Sequence, residues 1–263
     1  NEEMNINNSS SSNFNNLPPD QMLSIMYEGF NSENRGDLWF HLSGANRLKA
    51  NSDGDTYGKL IRKLDDTTTA DDAEHVNSIK VAIENDLKRY KPDRLSTNPL
   101  YNPSNNNTKK KNKTSGVISF LSTNVGKLRR ICLALALYIP DVGYNQAYLP
   151  IVRFVCRVTC FGEDDIFWFL AAFLSFTLPP YFSTDMIGVR TDQYILKQLV
   201  KRYFKNVKVH LECIEVDFGL LTYHWFVFSL VDQVSHEVLL RTWDMILLIG
   251  SHQIFIPMLF TIS

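Results

Sequence analysis

Two short patterns carry side chains able to do chemistry. In Ile83-x-x-Asp86-x-x-Arg89 three residues recur at helical spacing and stack on successive turns of one helix. Arg89 offers a permanent charge and a planar fork of donors suited to oxyanions. Asp86, one turn earlier, is spaced to hold that guanidinium by an ion pair, and Ile83 would anchor the turn in a core. In Asp141-Val142-Gly143-Tyr144-Asn145-Gln146-Ala147 a turn and an uncharged amide interrupt two of the most apolar segments. Gln146 accepts and donates hydrogen bonds at once without changing protonation state. It falls just before a helix opened by Pro150, where its side chain stays free to touch a partner and unpaired N–H groups favour anions. Spacing alone leaves a plainer alternative open, in which Asp86 and Arg89 form an exposed i,i+3 pair worth about 0.2–0.5 kcal/mol and Tyr144 only packs.

Other chemistries lack their signatures. The chain has no G-x-x-x-x-G-K-S/T, no G-x-S-x-G, no H-E-x-x-H and no paired C-x-x-C. Its six histidines, His41, His75, His210, His224, His236 and His252, show no ligand spacing, so no metal or cofactor of its own is expected. Cys132, Cys156, Cys160 and Cys213 lie inside apolar segments and read as reduced core thiols in a reducing compartment. With 263 residues, 44% apolar, the chain can bury a sizeable core. A net charge of -1 supplies no field to draw in nucleic acid or an anionic membrane. The uncharged run from Met245 to Ser263 is interrupted by Gly250 and Pro257, so two buried helices are expected there rather than a transmembrane segment.

The elements that must position these residues read as helices. Residues 1–16, eleven of them Asn or Ser, are expected to be a disordered tail, with a first short helix after Pro18-Pro19-Asp20. Arg35-x-x-x-Trp39 shares one face of the next helix, and an arginine stacked on a tryptophan gives both residues a structural role. The stretch 46–73 is weakly periodic and expected to be loop-rich. Val76, Ile79, Ile83 and Leu87 predict a surface helix over 74–90, with Arg89 off its apolar face. A polar insertion follows over 95–115, with a lysine run at Lys109-Lys110-Lys111-Asn112-Lys113 that reads as solvated. Helices are then expected over 125–138, 148–160, 164–178, 191–204, 217–233, 236–249 and 252–262, with Ser235 and Gly250 as start and stop of the sixth.

In chain order, Arg35-x-x-x-Trp39, Ile83-x-x-Asp86-x-x-Arg89 and Tyr144-x-Gln146 resemble the A, B and C motifs of the TBC (Tre-2/Bub2/Cdc16) domain, the helical GTPase-activating domain for Rab-type small GTPases. Leu42-Ser43-Gly44-Ala45 after Trp39, Pro92 after Arg89, Gly143 before Gln146, Glu163-Asp164-Asp165-Ile166-Phe167-Trp168, His210-Leu211 and Trp243-Asp244 extend the resemblance over about residues 20–262. It implies an all-α domain of two packed lobes without β-sheet. The N-terminal lobe would cover about 17–146 and the C-terminal lobe about 147–263, ending before the family's last helix.

The resemblance also implies an activator rather than an enzyme. Arg89 and Gln146 would be the catalytic residues, supplied in trans to a GTP-bound Rab-type GTPase, with Asp86, Tyr144 and Ile83 in support. GTP and Mg2+ would belong to the partner. Such a protein would regulate vesicle trafficking, with a cytoplasmic location and peripheral contact with endomembranes through its partner. The alternative is a non-catalytic module of the same fold that holds a GTPase or an adaptor. Three features depart from the family pattern: Ala147 stands for a usual glycine, Tyr90 for a common threonine, and the 95–115 insertion is long. Ala147 adds only a methyl group, but beside a GTPase backbone that methyl would alter fit, and with the short C-terminus it favours the alternative.

Overall fold

In the computed structural model residues 29–63, 70–89, 113–178 and 180–262 are described, and among them the chain is helical with no strand. The elements are α1 Arg35–Leu42, α2 Ala45–Ala50, α3 Thr56–Lys63, α4 Ala70–Arg89, α5 Lys113–Tyr138, α6 Tyr148–Val158, α7 Glu163–Ala172, α8 Ile187–Tyr203, α9 Lys205–Cys213, α10 Phe218–Val227, α11 His236–Ile249 and α12 Phe255–Ile262. The all-α expectation holds. No helix of the described residues is long and apolar enough to cross a membrane.

Helix α7 is apolar all round from Ile166 to Ala172 and is buried all round, as such a sequence requires. It packs on α1, α2, α5 and α6, and so joins both halves of the chain. Its acidic first turn is met by two cations and a neutral hydroxyl from three other helices. Lys49 of α2 pairs with Asp164 at 2.6 Å and Asp165 at 2.9 Å. Arg130 of α5 and the Tyr57 hydroxyl of α3 each donate to Glu163 at 2.9 Å. These acids also sit favourably at the positive end of the α7 dipole.

The link between Arg35 and Trp39 differs from the expected stack. Both side chains bond one buried carboxylate, that of Asp244 on α11. Trp39 Nε1 donates to Asp244 Oδ1 at 2.7 Å and Arg35 Nε donates to the same atom at 3.1 Å. The Phe30 amide donates to Oδ2 at 3.3 Å, and Arg35 Nη2 donates to the Phe30 carbonyl at 2.6 Å. Burial pushes the Asp244 pKa above the usual carboxylate range, while Arg35, Trp39 and the Phe30 amide pull it back. The structural role expected of the pair stands, but a shared acceptor carries it.

Several boundaries also differ. The 46–73 stretch holds α2 and α3, and α5 starts at Lys113 rather than near 125. Helix α9 occupies a stretch where none was expected. Helix α10 stops at Val227, short of 233, because Ser229, Leu230 and Asp232 adopt φ of 48°, 64° and 63°. Tertiary bonds hold that turn: Trp243 Nε1 donates to the Ser229 carbonyl at 3.1 Å, and Arg153 pairs with Asp232 at 2.8 Å. Helix α6 ends at Val158, which leaves Cys160 exposed, and Cys213 is exposed too, so these two are not core thiols. Cys132 is buried as expected. The expected tail, the helix after Pro18, Tyr90 and most of the insertion lie outside the described residues.

Two outcomes follow. Asp244→Ala leaves the Trp39 indole N–H and the Arg35 guanidinium without their buried acceptor, and a loss of about 3–5 kcal/mol is expected, measured as a lowered urea midpoint. Glu163 supplies a pH dependence of known sign. The Arg130 bond, ahead of the opposing effect of burial, holds its carboxyl below its ordinary value of 4.5. The stability from this group is therefore complete above that value and is lost as pH falls through the depressed one. Glu163→Gln should flatten this part of the acid-side melting profile; an unchanged profile would disprove the assignment.

Candidate functional site

Helix α4 buries Val76, Ile79 and Ile83 in the three- and four-residue rhythm read from the sequence, with Ile83 at 0% exposure. Fixing that stripe inward turns the last turn of α4 outward at Arg89. Its side chain is 72% exposed, whereas that of Asp86 is 13% exposed. Arg89 Nη1 donates to Asp86 Oδ1 at 3.3 Å, and the Tyr144 hydroxyl donates to Asp86 Oδ2 at 2.9 Å. One carboxylate thus joins the end of α4 to the loop before α6. The meeting of residues 58 positions apart is direct.

The loop is built from local rules. Gly143 has φ +65°, a region that glycine enters without strain, and its amide donates to the Ile139 carbonyl at 2.9 Å, closing the turn that follows α5. Asn145 then fixes the entry to α6. Its side-chain oxygen accepts from the Ala147 amide and its carbonyl from the Tyr148 amide, both at 2.9 Å. This turn role of Asn145 was not singled out from the sequence, although an asparagine shortly before a helix is the signal for it. Gln146 lies between these anchors with its side chain exposed.

Tyr144 does more than pack. Its ring meets Tyr148 edge-on at 6.2 Å between centroids while its hydroxyl serves Asp86. Burial first, then the neighbouring Cys132 and Asp86, push its phenol well above the usual tyrosine range, so it remains a donor. Ala147 does not stand at the surface of this edge. Ala147 is 0% exposed with φ −66° and ψ −21°, so its methyl faces the protein's own interior and adopts an ordinary helical backbone. Arg35 and Trp39 belong to the Asp244 cluster and supply no exposed group at this edge.

The strengths of the two Asp86 bonds are unequal. A solvent-exposed i,i+3 pair at 3.3 Å is worth about 0.3–0.5 kcal/mol, so Arg89 can leave it for an outside oxyanion at little cost. The more sheltered Tyr144 bond keeps Asp86 in place meanwhile. The edge therefore presents a releasable cation, tied through Asp86 to the loop that carries the exposed Gln146.

A family model for the Rab-GTPase-TBC domain matches residues 32–263. The chain belongs to the Rab-GTPase-TBC domain family. It is 30% identical over 241 residues to human small G protein signaling modulator 3, covering 91% of this chain and 28% of that protein. It is 31% identical over 135 residues to TBC1 domain family member 2B of Xenopus tropicalis, covering 51% of this chain and 14% of that one. The chain thus spans less than a third of the length of these relatives. Among solved structures, the Chlamydomonas flagellar RabGAP TBC domain superposes with a TM-score of 0.66 at 21% identity, covering 91% of this chain and 70% of that one. The Ypt/Rab-GAP domain of Gyp1p gives 0.65 at 17%, covering 92% and 79%. The fold is that of a TBC domain, and membership of the family implies a small GTPase as partner.

Tyr144→Phe removes one donor from Asp86 without changing ring packing. A stability loss of about 0.5–1.5 kcal/mol is expected, together with faster amide hydrogen exchange across residues 143–147. Exchange as slow as in the parent would show that the hydroxyl does not hold the loop.

Proposed function

We propose that this TBC domain accelerates GTP hydrolysis on a GTP-bound Rab-type small GTPase, with Arg89 and Gln146 entering the partner's nucleotide site. The observation that carries the reading is Asp86, which accepts from Arg89 and Tyr144 together and so brings the arginine and the glutamine-bearing loop to one edge. Phosphoryl transfer from GTP spreads charge over the phosphate oxygens and needs a positioned water, and the protein contributes by placement and electrostatics. Arg89, on leaving Asp86, offers its guanidinium fork to those oxygens. Gln146 offers its carbonyl to the attacking water and its amide N–H to the phosphate. The partner holds GTP and Mg2+, and this chain provides no nucleotide site in the scheme.

The burial of Ala147 removes one of the arguments for a purely holding role. That methyl lies in the protein's own interior and not at the surface a GTPase would meet. Hydrolysis switches the GTPase off on the membrane that carries it, so the role proposed is control of vesicle trafficking from the cytoplasmic side of endomembranes.

The test is single-turnover phosphate release from a panel of GTP-loaded Rab-type GTPases. An arginine of this kind contributes about 10^3 to 10^5 in rate, or about 4–7 kcal/mol of transition-state stabilisation. Arg89→Ala should therefore abolish stimulation while leaving the helical circular dichroism unchanged, and Gln146→Ala should give a smaller loss. Full stimulation by Arg89→Ala would sink the mechanism. Binding of a GTPase with no acceleration by the unaltered chain would leave the scaffold reading instead.

A further inference from the structure

We infer that the outward face of α8 is a docking surface for an anionic lipid bilayer. This goes beyond the GTPase-directed edge, which lies on α4 and the loop before α6. Helix α8 packs on α9, α10 and α12 and buries Gly188, Val189, Leu196 and Val200. The opposite face carries Arg190, Lys197, Lys201 and Arg202, all exposed. Interleaved with them stand Tyr194 at 65% exposure and the exposed Ile187 and Ile195. At 100° per residue these seven positions fall within an arc of roughly 160°.

The charge separation on this helix is complete. Its one acid, Asp192, is turned to the other side and accepts the Tyr181 hydroxyl. Arg190, Lys197 and Lys201 form no salt bridge among the described residues. The face thus carries four positive charges and no negative one, in a chain whose net charge is -1. Lys205 continues the exposed cations into α9.

The pattern fits a bilayer better than other polyanions. Lysine and arginine stems reach to headgroup phosphates and carboxylates, while tyrosine and isoleucine enter the boundary with the acyl chains. A phosphate backbone of nucleic acid offers nothing to Ile187 or Ile195. The face is the convex side of a helix about 25 Å long, which lies flat on a planar surface, whereas a protein partner would need a matching groove. Bilayer contact through α8 would raise the local concentration of the domain on membranes that carry its GTPase, independently of the catalytic edge.

The experiment is co-sedimentation of the chain with vesicles of phosphatidylcholine alone and of one part phosphatidylserine to three parts phosphatidylcholine. Binding to the anionic vesicles only, released by high salt, is expected. Each basic residue near such a surface multiplies partitioning about fivefold, so Lys197→Gln with Lys201→Gln should weaken it about 25-fold. Ile187→Ser with Tyr194→Ser should weaken it while leaving every charge in place. All four positions are exposed, and circular dichroism verifies the fold of each variant. Equal binding to both vesicles, or anionic binding that the lysine variant leaves unchanged, would overturn the proposal. Retention on polyglutamate or DNA beads without vesicle binding would also overturn it, assigning the face to an acidic protein or to nucleic acid. Unaltered GTPase stimulation in solution by the lysine variant would separate this surface from the Arg89 edge.

Discussion

The Asp244 carboxylate is the constraint on which the packing of this chain turns. A charge buried without partners costs several kcal/mol, and the donors that satisfy Asp244 come from Phe30, Arg35 and Trp39, more than two hundred residues earlier. Apolar burial around Trp39 is larger in energy, with Trp243 at 5.5 Å, Phe169 at 6.0 Å and Phe154 at 6.1 Å between ring centroids. Dispersion of that kind tolerates sliding, whereas the hydrogen bonds do not. The aromatic cluster supplies attraction and the carboxylate fixes the register of α1 on α11. Because Phe169 and Phe173 join the same cluster, the position of α7 is fixed with them, and α5 and α6 pack on α7 in turn.

Asp86 uses the same device with a different outcome. It too is a carboxylate shared by donors from two segments, but one of its donors, Arg89, lies in solvent. In the core, losing a donor strands a charge; at the edge, water replaces it. Burial alone separates a permanent strut from a reversible hold. That difference is what the role proposed for Arg89 requires, since an arginine locked as firmly as Arg35 would have no free donors to lend.

Much of this was legible in the residues, and the failures have physical causes. The inward stripe of α4 and the outward placement of Arg89 follow from periodicity, which reports burial directly. The start and stop of α11 at Ser235 and Gly250 follow from local capping, and Ser235 Oγ does accept from the Val238 amide at 3.4 Å. The Arg35–Trp39 link was misread because its acceptor is remote in sequence, and four-residue spacing suggests a direct contact when none is needed. The end of α10 was overrun because Ser229, Leu230 and Asp232 leave helical backbone without glycine or proline to announce it. Their turn is held by Trp243 and Arg153, which no local pattern contains. In α9, Val207, Val209 and Leu211 alternate rather than follow a helical rhythm, so its pattern pointed away from the structure it adopts.

At residue 147 alanine stands where the family pattern has glycine. A methyl in place of glycine matters when the backbone needs positive φ or when the added carbon meets something close. Residue 147 needs no positive φ, since its φ is −66°, and its methyl lies inside the protein rather than at the surface. The glycine that cannot be spared in this loop is Gly143, four positions earlier, whose φ of +65° shapes the turn between α5 and α6. With Gly143 and Asn145 fixing the backbone on either side, ordering the loop for a partner leaves the Gln146 side chain as the main part still to be immobilised. That costs about 1–2 kcal/mol for one long side chain, against the several backbone residues an unstructured loop would have to order. In the proposed role, reactivity then depends less on the residue after the glutamine than on how firmly Tyr144 and Asp86 hold the turn beside it.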